Sequence, residues 1–254
     1  MKAVLLAAGY ATRLRPLTDR LPKQLLPVGG RPILDWILDK VRELEEVDQV
    51  HLVTNSHYVE QFEAWAGPHG VAVHDDGTRT NEDRLGAVGD LRLTIERAGI
   101  DDDLLVLAGD NLFEFGLAGL VAFARSRGTA SALAVYDCGD LELAREMGIV
   151  ELDGTGRVVH FVEKPKEPPS TLASTATYVF PREHVPLVER YLGQGNPPDN
   201  IGSFLGWLSG ERPVYGYRFE GRWYDIGNRA QLLEADNRLR EQAGLPVRAD
   251  YSID

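Results

Sequence analysis

The chain has 254 residues, 43% of them hydrophobic and 26% charged, with 26 Gly and 14 Pro. This composition excludes a disordered, collagenous or coiled-coil chain, and the length suits one large domain with a substantial core. A formal charge of −12 argues against a dedicated nucleic-acid binder, which carries a basic field, but leaves room for phosphates held by local cations or by metal ions.

Taken in chain order, short apolar runs at 2–8, 50–54, 71–74 and 104–108 predict strands. They are continuous rather than alternating, as in strands buried on both faces. Amphipathic stretches lie between and after them, at 31–46, 57–66, 86–98 and 117–127. In the first of these, Ile33, Ile37, Val41 and Leu44 recur at helical spacing, with Pro32 suited to a first turn. This β-α-β-α order predicts an α/β fold with a Rossmann-like, mainly parallel sheet flanked by helices. Strand-like runs at 130–136, 148–152, 157–163, 174–180 and 213–219 follow with fewer helices between them, and Asp153–Gly156 reads as a hairpin turn. The sheet is therefore expected to be mixed, its later strands forming a smaller lobe, and a last helix is expected at 229–242. No repeat or linker divides the chain. We read one domain, with 1–130 and 131–228 as its two lobes and 229–254 as the C-terminal helix and tail.

The single cysteine, Cys138, rules out an internal disulfide and a cysteine-based zinc site. No apolar run approaches the length of a membrane span, and the apolar start is too short for a signal peptide. A cytoplasmic protein with no nucleic-acid or membrane partner is expected; a homo-oligomer is left open.

The connection from the first strand to the first helix runs from about Gly9 to Arg31, far longer than the ~2–6 residues usual for such loops. It leaves the carboxyl end of a strand, where open parallel sheets bind ligands. Gly9 would let backbone approach a phosphate, and Arg13, Arg15, Arg20 and Lys23 supply cations. Neither the dinucleotide fingerprint nor the P-loop pattern is present. A solvated basic loop is the plainer alternative. Only five of the 27 basic residues are lysines, which draws attention to Lys23 and Lys164.

The string AGYATRLRPLT at 8–18, followed by PKQLLPV at 22–28, resembles the signature of the sugar-phosphate nucleotidyltransferases. Bacterial glucose-1-phosphate thymidylyltransferases look closest along the chain. The resemblance continues in LVLAGDN, GIVELD, FVEKP and WYDIG, in order from end to end. It implies the nucleotidyltransferase fold and attack of an acceptor phosphate oxygen on the α-phosphorus of an NTP, with loss of pyrophosphate. Both reactants are anionic, so such a reaction needs charge neutralisation and alignment more than a nucleophilic side chain.

Carried over residue by residue, the resemblance implies a nucleotide site of Ala7, Ala8, Gly9, Tyr10, Thr12, Arg13 and Lys23, with Arg13 and Lys23 on the phosphates. Asp110 follows a predicted strand and, with Asp225, implies a Mg²⁺ site; Arg13, Lys23 and Asp110 form the implied catalytic set. Gly86 aligns with the glycine that admits the nucleotide. Asn81, five residues earlier, falls where a base-reading Gln is expected, although Asn81 also suits a turn. In the second lobe the resemblance implies acceptor contacts from Gly148, Glu163, Lys164 and Thr175. The chain departs from the pattern at Ala8, Ala11 and Ala176, which stand where relatives often carry Gly, and at Met147, where many carry an aromatic residue. The expected function is Mg²⁺-dependent transfer from a pyrimidine NTP such as dTTP or UTP to a sugar 1-phosphate. Cytidylyl transfer from CTP to a polyol phosphate, choline phosphate or phosphonate is the alternative, and a non-catalytic nucleotide or sugar sensor is a third reading. Retention of Lys23, Asp110 and Asp225 speaks against the sensor.

Overall fold

The computed structural model describes residues 1–253. Strand β1 (Lys2–Leu6) leads into a long connection containing three short 3₁₀ turns and a tight hairpin, β2 (Pro27–Val28) with β3 (Arg31–Pro32), before α1 (Ile33–Arg42). There follow β4 (Gln49–Thr54), α2 (Val59–His69), β5 (Ala72–Asp75), α3 (Ala87–Ala98) and β6 (Leu104–Ala108). The next elements are β7 (Asn111–Phe113), α4 (Leu117–Ser126), β8 (Ser131–Asp137), α5 (Leu141–Ala144), β9 (Gly148–Leu152), β10 (Val158–Glu163) and β11 (Leu172–Phe180). The chain closes with α6 (Leu187–Gly193), α7 (Ile201–Glu211), β12 (Val214–Arg218), β13 (Trp223–Asp225) and α8 (Arg229–Gln242). Among the described residues, no helix is long and apolar enough to cross a membrane.

One sheet runs through both lobes in the order β10-β9-β11-β6-β1-β4-β5, with β8 on the other side of β11 and β12 beyond it. Strands β1, β4, β5 and β6 are mutually parallel, whereas β11 runs antiparallel to β6, β8 and β9. The chain builds outward from β1 through β4 to β5, then crosses back to place β6 on the opposite side of β1. That reversal opens a crevice at the carboxyl ends of β1 and β6. Helices on both faces follow from strands that are apolar on both sides: Leu5, Leu105 and Leu107 join the core beneath α1, α2, α4 and α8, and Val4, Leu104 and Val106 the core beneath α3, α6 and α7.

The structure corrects the sequence reading in the second half, where α5, α6 and α7 stand in a region expected to be poor in helices. Helix α7 reads IGSFLGWLSGE, and its three glycines, four residues apart, weaken both helix propensity and periodic signal. The first two form a groove for Phe161 of β10: a Cβ on Gly202 would lie 2.1 Å from the ring, and one on Gly206 lies 3.5 Å from the Phe161 Cβ. Four short strands were also missed, the β2–β3 hairpin and the pair β7 and β13. Strand β13 pairs antiparallel with β7, setting Asp225 opposite Asn111. The helix expected at 31–46 begins at Ile33, because Pro32 is extended and pairs with Pro27.

Candidate active site

The crevice is a cleft of about 690 Å³, within the range of small-molecule sites. It brings together segments widely separated in sequence: the β1 connection, the start of α3, the turn after β6, strands β9 to β11, the start of α7 and the segment around Asp225.

Of the sequence-predicted residues, Ala8, Gly9, Tyr10, Thr12, Arg13, Lys23, Asn81, Gly86, Asp110, Gly148, Glu163, Lys164 and Asp225 all line it. Two do not. Ala7 is buried, with its N–H donated to the Val53 carbonyl at 2.9 Å. Thr175 is fully buried with its hydroxyl donated to the Ala134 carbonyl at 3.2 Å, so it is no part of the acceptor wall. Its neighbours Ser174 and Ala176 face the cleft instead, since successive residues of β11 point to opposite faces. The Thr175 carbonyl accepts a hydrogen bond from Asn111 Nδ2 at 3.3 Å, an indirect link to the cleft.

The charged groups converge at one end. Lys23 forms an ion pair with Asp110 and donates to the Ile226 carbonyl at 2.7 Å. Burial raises the pKa of Asp225, and the Asp110 charge raises it further, while Lys23, Lys164 and Arg13 pull it down. Its carboxylate reaches the water of the cleft but lies on a floor walled by protein, so both effects act together. Glu163, across the cleft, is also pushed up, by burial first and then by Asp225, against the lowering charge of Lys164. Among the described residues, Arg13 and Lys164 have no ion-pair partner in the chain; both are exposed to the cleft.

No group of three or more His, Cys, Asp or Glu side chains converges as a metal cage among the described residues. The carboxylates of Asp110 and Asp225 could instead hold an ion that completes its shell with ligand oxygens and water, as Mg²⁺ does. The residues present fit such an ion.

The backbone of the site is strained. Among the described residues, the only non-glycine residues at positive φ are Ala11 (45°), Lys164 (46°) and Ala176 (51°), and all three line the cleft. Ala11 and Ala176 are two of the three positions where alanine stands in place of the glycine of the pattern. Such conformations persist where surrounding structure over-determines them, and they cluster at functional sites. At Gly86, φ is 80° and a Cβ would lie 2.5 Å from the Pro198 carbonyl oxygen, so only glycine fits. The loop pressed against it caps α3, since Ala87 and Val88 donate to the carbonyls of Asp199 and Pro198 at 3.1 and 2.9 Å.

Tyr10 acts as an anchor: its hydroxyl meets Thr78 Oγ1 at 3.1 Å and its ring packs near Tyr58. Sequence reasoning missed Gln24, Asp90 and Asn111, which are buried yet line the cleft, each with one side-chain oxygen lacking an ordinary protein donor. Gln24 and Asn111 lie inside quoted motifs and were within reach. Asp90 gave no signal beyond an acidic residue on the buried face of α3.

The nucleotidyl transferase family model matches residues 2–242. The chain belongs to this family. A UTP–glucose-1-phosphate uridylyltransferase of Synechocystis is 32% identical over 240 residues, covering 89% of this chain and 60% of that one. The uridylyltransferase AglF of Haloferax volcanii is 31% identical, covering 95% of this chain and 98% of its own. The bifunctional protein GlmU of Methanocaldococcus jannaschii is 27% identical over 98% of this chain, which spans only 56% of that relative's length. The chain thus spans between half and two thirds of several of the relatives it matches. A crystal structure described as a glucose-1-phosphate thymidylyltransferase of Bacillus anthracis, in complex with sucrose, superposes with a TM-score of 0.81 at 22% identity, over 95% of this chain and 96% of that one, and shows the shared fold. Members of this family generally use a divalent metal.

Proposed function

We propose that the chain transfers a nucleotidyl group from a pyrimidine NTP to a sugar 1-phosphate, yielding an NDP-sugar and pyrophosphate. The observation that carries this reading is the set Arg13, Lys23, Lys164, Asp110 and Asp225 at one end of the switch-point cleft, with Glu163 in the facing wall. A phosphate oxygen of the acceptor attacks the α-phosphorus as the bond to the β-phosphate bridge breaks, and pyrophosphate leaves with that electron pair. Arg13 suits the β- and γ-phosphates, since its planar guanidinium grips oxygens in pairs. Lys23, a point charge, suits the α-phosphate and the charge that develops there. Lys164, backed by the Met147 carbonyl that accepts its N–H at 3.0 Å, holds the acceptor phosphate, and Glu163 accepts hydroxyls of the sugar. Asp110 and Asp225 would hold Mg²⁺, which when bound neutralises phosphate charge.

A pyrophosphate-release screen tests this, crossing dTTP, UTP, CTP, GTP and ATP with sugar 1-phosphates, polyol phosphates, choline phosphate and phosphonates in the presence of Mg²⁺. Release requiring UTP or dTTP together with a sugar 1-phosphate is expected. Release with CTP and a non-sugar acceptor overturns the substrate assignment. Nucleotide binding without release from any pair overturns the transfer chemistry in favour of a sensor.

A further inference from the structure

The other end of the cleft holds two buried carboxyls that this reaction does not use. Asp90, in α3, is 6% exposed and lines the cleft; Asp76, just beyond β5, is 7% exposed. Asp76 Oδ2 and Asp90 Oδ1 are buried without any donor from the rest of the chain, so two carboxyls acting on each other this closely need one proton between them. Asp76 also accepts the Thr78 N–H at 2.6 Å. Among the described residues neither carboxyl has a salt-bridge partner, and burial followed by the Asp75 charge raises the pKa of Asp76 against the lowering contacts of Thr78 and Asp90. Arg84, in the same wall, is held by Asp199 at 3.2 Å. Asp76 accepts a backbone N–H and Asp90 accepts none, so the shared proton rests on Asp90, in keeping with burial and then the Asp76 charge pushing Asp90 up to about 8.

Packing gives no reason for this arrangement. Val88 and Leu91, on either side of Asp90, are fully buried core residues, and a buried carboxyl without a cation is costly where an apolar side chain would fit. The position gives one. Asp90 lies one helical turn beyond Gly86 and Ala87, on the same side of α3, and both of those also line the cleft. Asn81 and Tyr10 belong to the same wall. A triphosphate is repelled from this acidic end and drawn to Arg13, Lys23 and Lys164 at the other, which leaves the uncharged base facing α3. With its proton directed to Asp76, Asp90 offers the cleft an oxygen that only accepts.

We propose that Asp90 reads the base of the bound nucleotide by accepting its ring N–H, and that Asp76 fixes Asp90 in this acceptor state. Uracil and thymine present N3–H between two carbonyls, whereas cytosine presents a lone pair at N3, which the Asp90 oxygen opposes. The inference rests on the transfer reading above and adds a residue that selects UTP and dTTP over CTP.

The test compares wild type, Asp90→Asn and Asp90→Ala. Binding of UTP, dTTP and CTP with Mg²⁺ is measured by titration calorimetry without acceptor, and kcat and KM are measured with it. Asn mimics protonated Asp90, donating Nδ2–H to Asp76 and turning its oxygen to the base, so D90N should keep the wild-type nucleotide order within ~3-fold. D90A should weaken UTP and dTTP by ~10-fold or more, through KM rather than kcat, and narrow their lead over CTP. D90A leaves the buried Asp76 carboxyl without its partner, so its melting temperature is read beside that of D90N, which keeps the Asp76 contact, to separate lost recognition from misfolding. An unchanged UTP-to-CTP ratio in D90A, or a wild type that prefers CTP, overturns the inference while leaving nucleotidyl transfer intact. A wild type that binds no NTP overturns both.

Discussion

Gly86 links the two lobes, and its replacement by alanine has a calculable cost. Holding an L-residue at φ 80° costs ~1–2 kcal/mol. The new Cβ would also lie 2.5, 2.7 and 2.8 Å from backbone atoms of Pro198 and Asp199, none of which can swing aside as a side chain could. The loop has to retreat, weakening the two hydrogen bonds that cap α3, each worth ~0.5–1.5 kcal/mol. Together these give ~2–5 kcal/mol, or a fall in melting temperature of roughly 5–15 °C for a chain of this size. Gly99, at the other end of α3, provides the control. It also has positive φ, 59°, but nothing lies within 4 Å of its Cβ, so Gly99→Ala carries only the backbone cost of ~1 kcal/mol. Calorimetric melting of both variants decides the matter. A Gly86→Ala protein that melts no lower than Gly99→Ala refutes the close approach of the two lobes. Because Asn200 and Ile201 of the displaced segment line the cleft, Gly86→Ala should also raise the KM of the nucleotide.

Lys23→Ala should lower kcat far more than nucleotide affinity, since a charge on the α-phosphate matters most as negative charge builds; equal losses in kcat and affinity would reduce Lys23 to a ground-state contact. Ala11→Gly and Ala176→Gly should each raise stability by up to ~1 kcal/mol in denaturant titrations, and no gain at either position would contradict its left-handed backbone. His184, buried and hydrogen-bonded to Ser131 Oγ at 2.7 Å, is held down to about 4 by burial and the Arg212 charge. An unfolded histidine binds its proton near pH 6.5, so His184 contributes stability that is fully present above that value and lost as pH falls toward 4. His184→Gln should lessen the fall in stability between pH 7 and 5, and urea titrations in which wild type and variant lose stability in parallel would disprove it.

The acidic end of the cleft bears on the opposite side of that profile. Asp90 binds a proton in the fold that it releases in the unfolded chain, so its contribution is present below about pH 4 and lost as pH rises toward 8. The buried histidines and this carboxyl pair therefore pull stability in opposite directions over the same range, with His51, also held down to about 4 by burial and the His74 charge, adding to the histidine side.

Periodicity and local motifs were enough to establish the parallel half of the sheet, because β1, β6 and the end of β4 are buried on both faces and read as apolar runs. The length of the β1 connection and its cations mark it in the sequence as a segment of the cleft. Helix α7 was hidden because its identity rests on glycines that make a poor helix alone and a good groove only once Phe161 lies against them. Thr175 was misplaced because alternation along β11 sends Ser174, Ala176 and Tyr178 to the cleft and Thr175 to the opposite face, and the local motif does not say which set meets the cleft. The local sequence determined which residues could carry charge and which segments could pair. Only the tertiary structure decided which charges meet, because Lys23, Asp110 and Asp225 come from positions up to 202 residues apart. The Asp76–Asp90 pair, likewise, exists only where β5 and α3 close on the same end of the cleft.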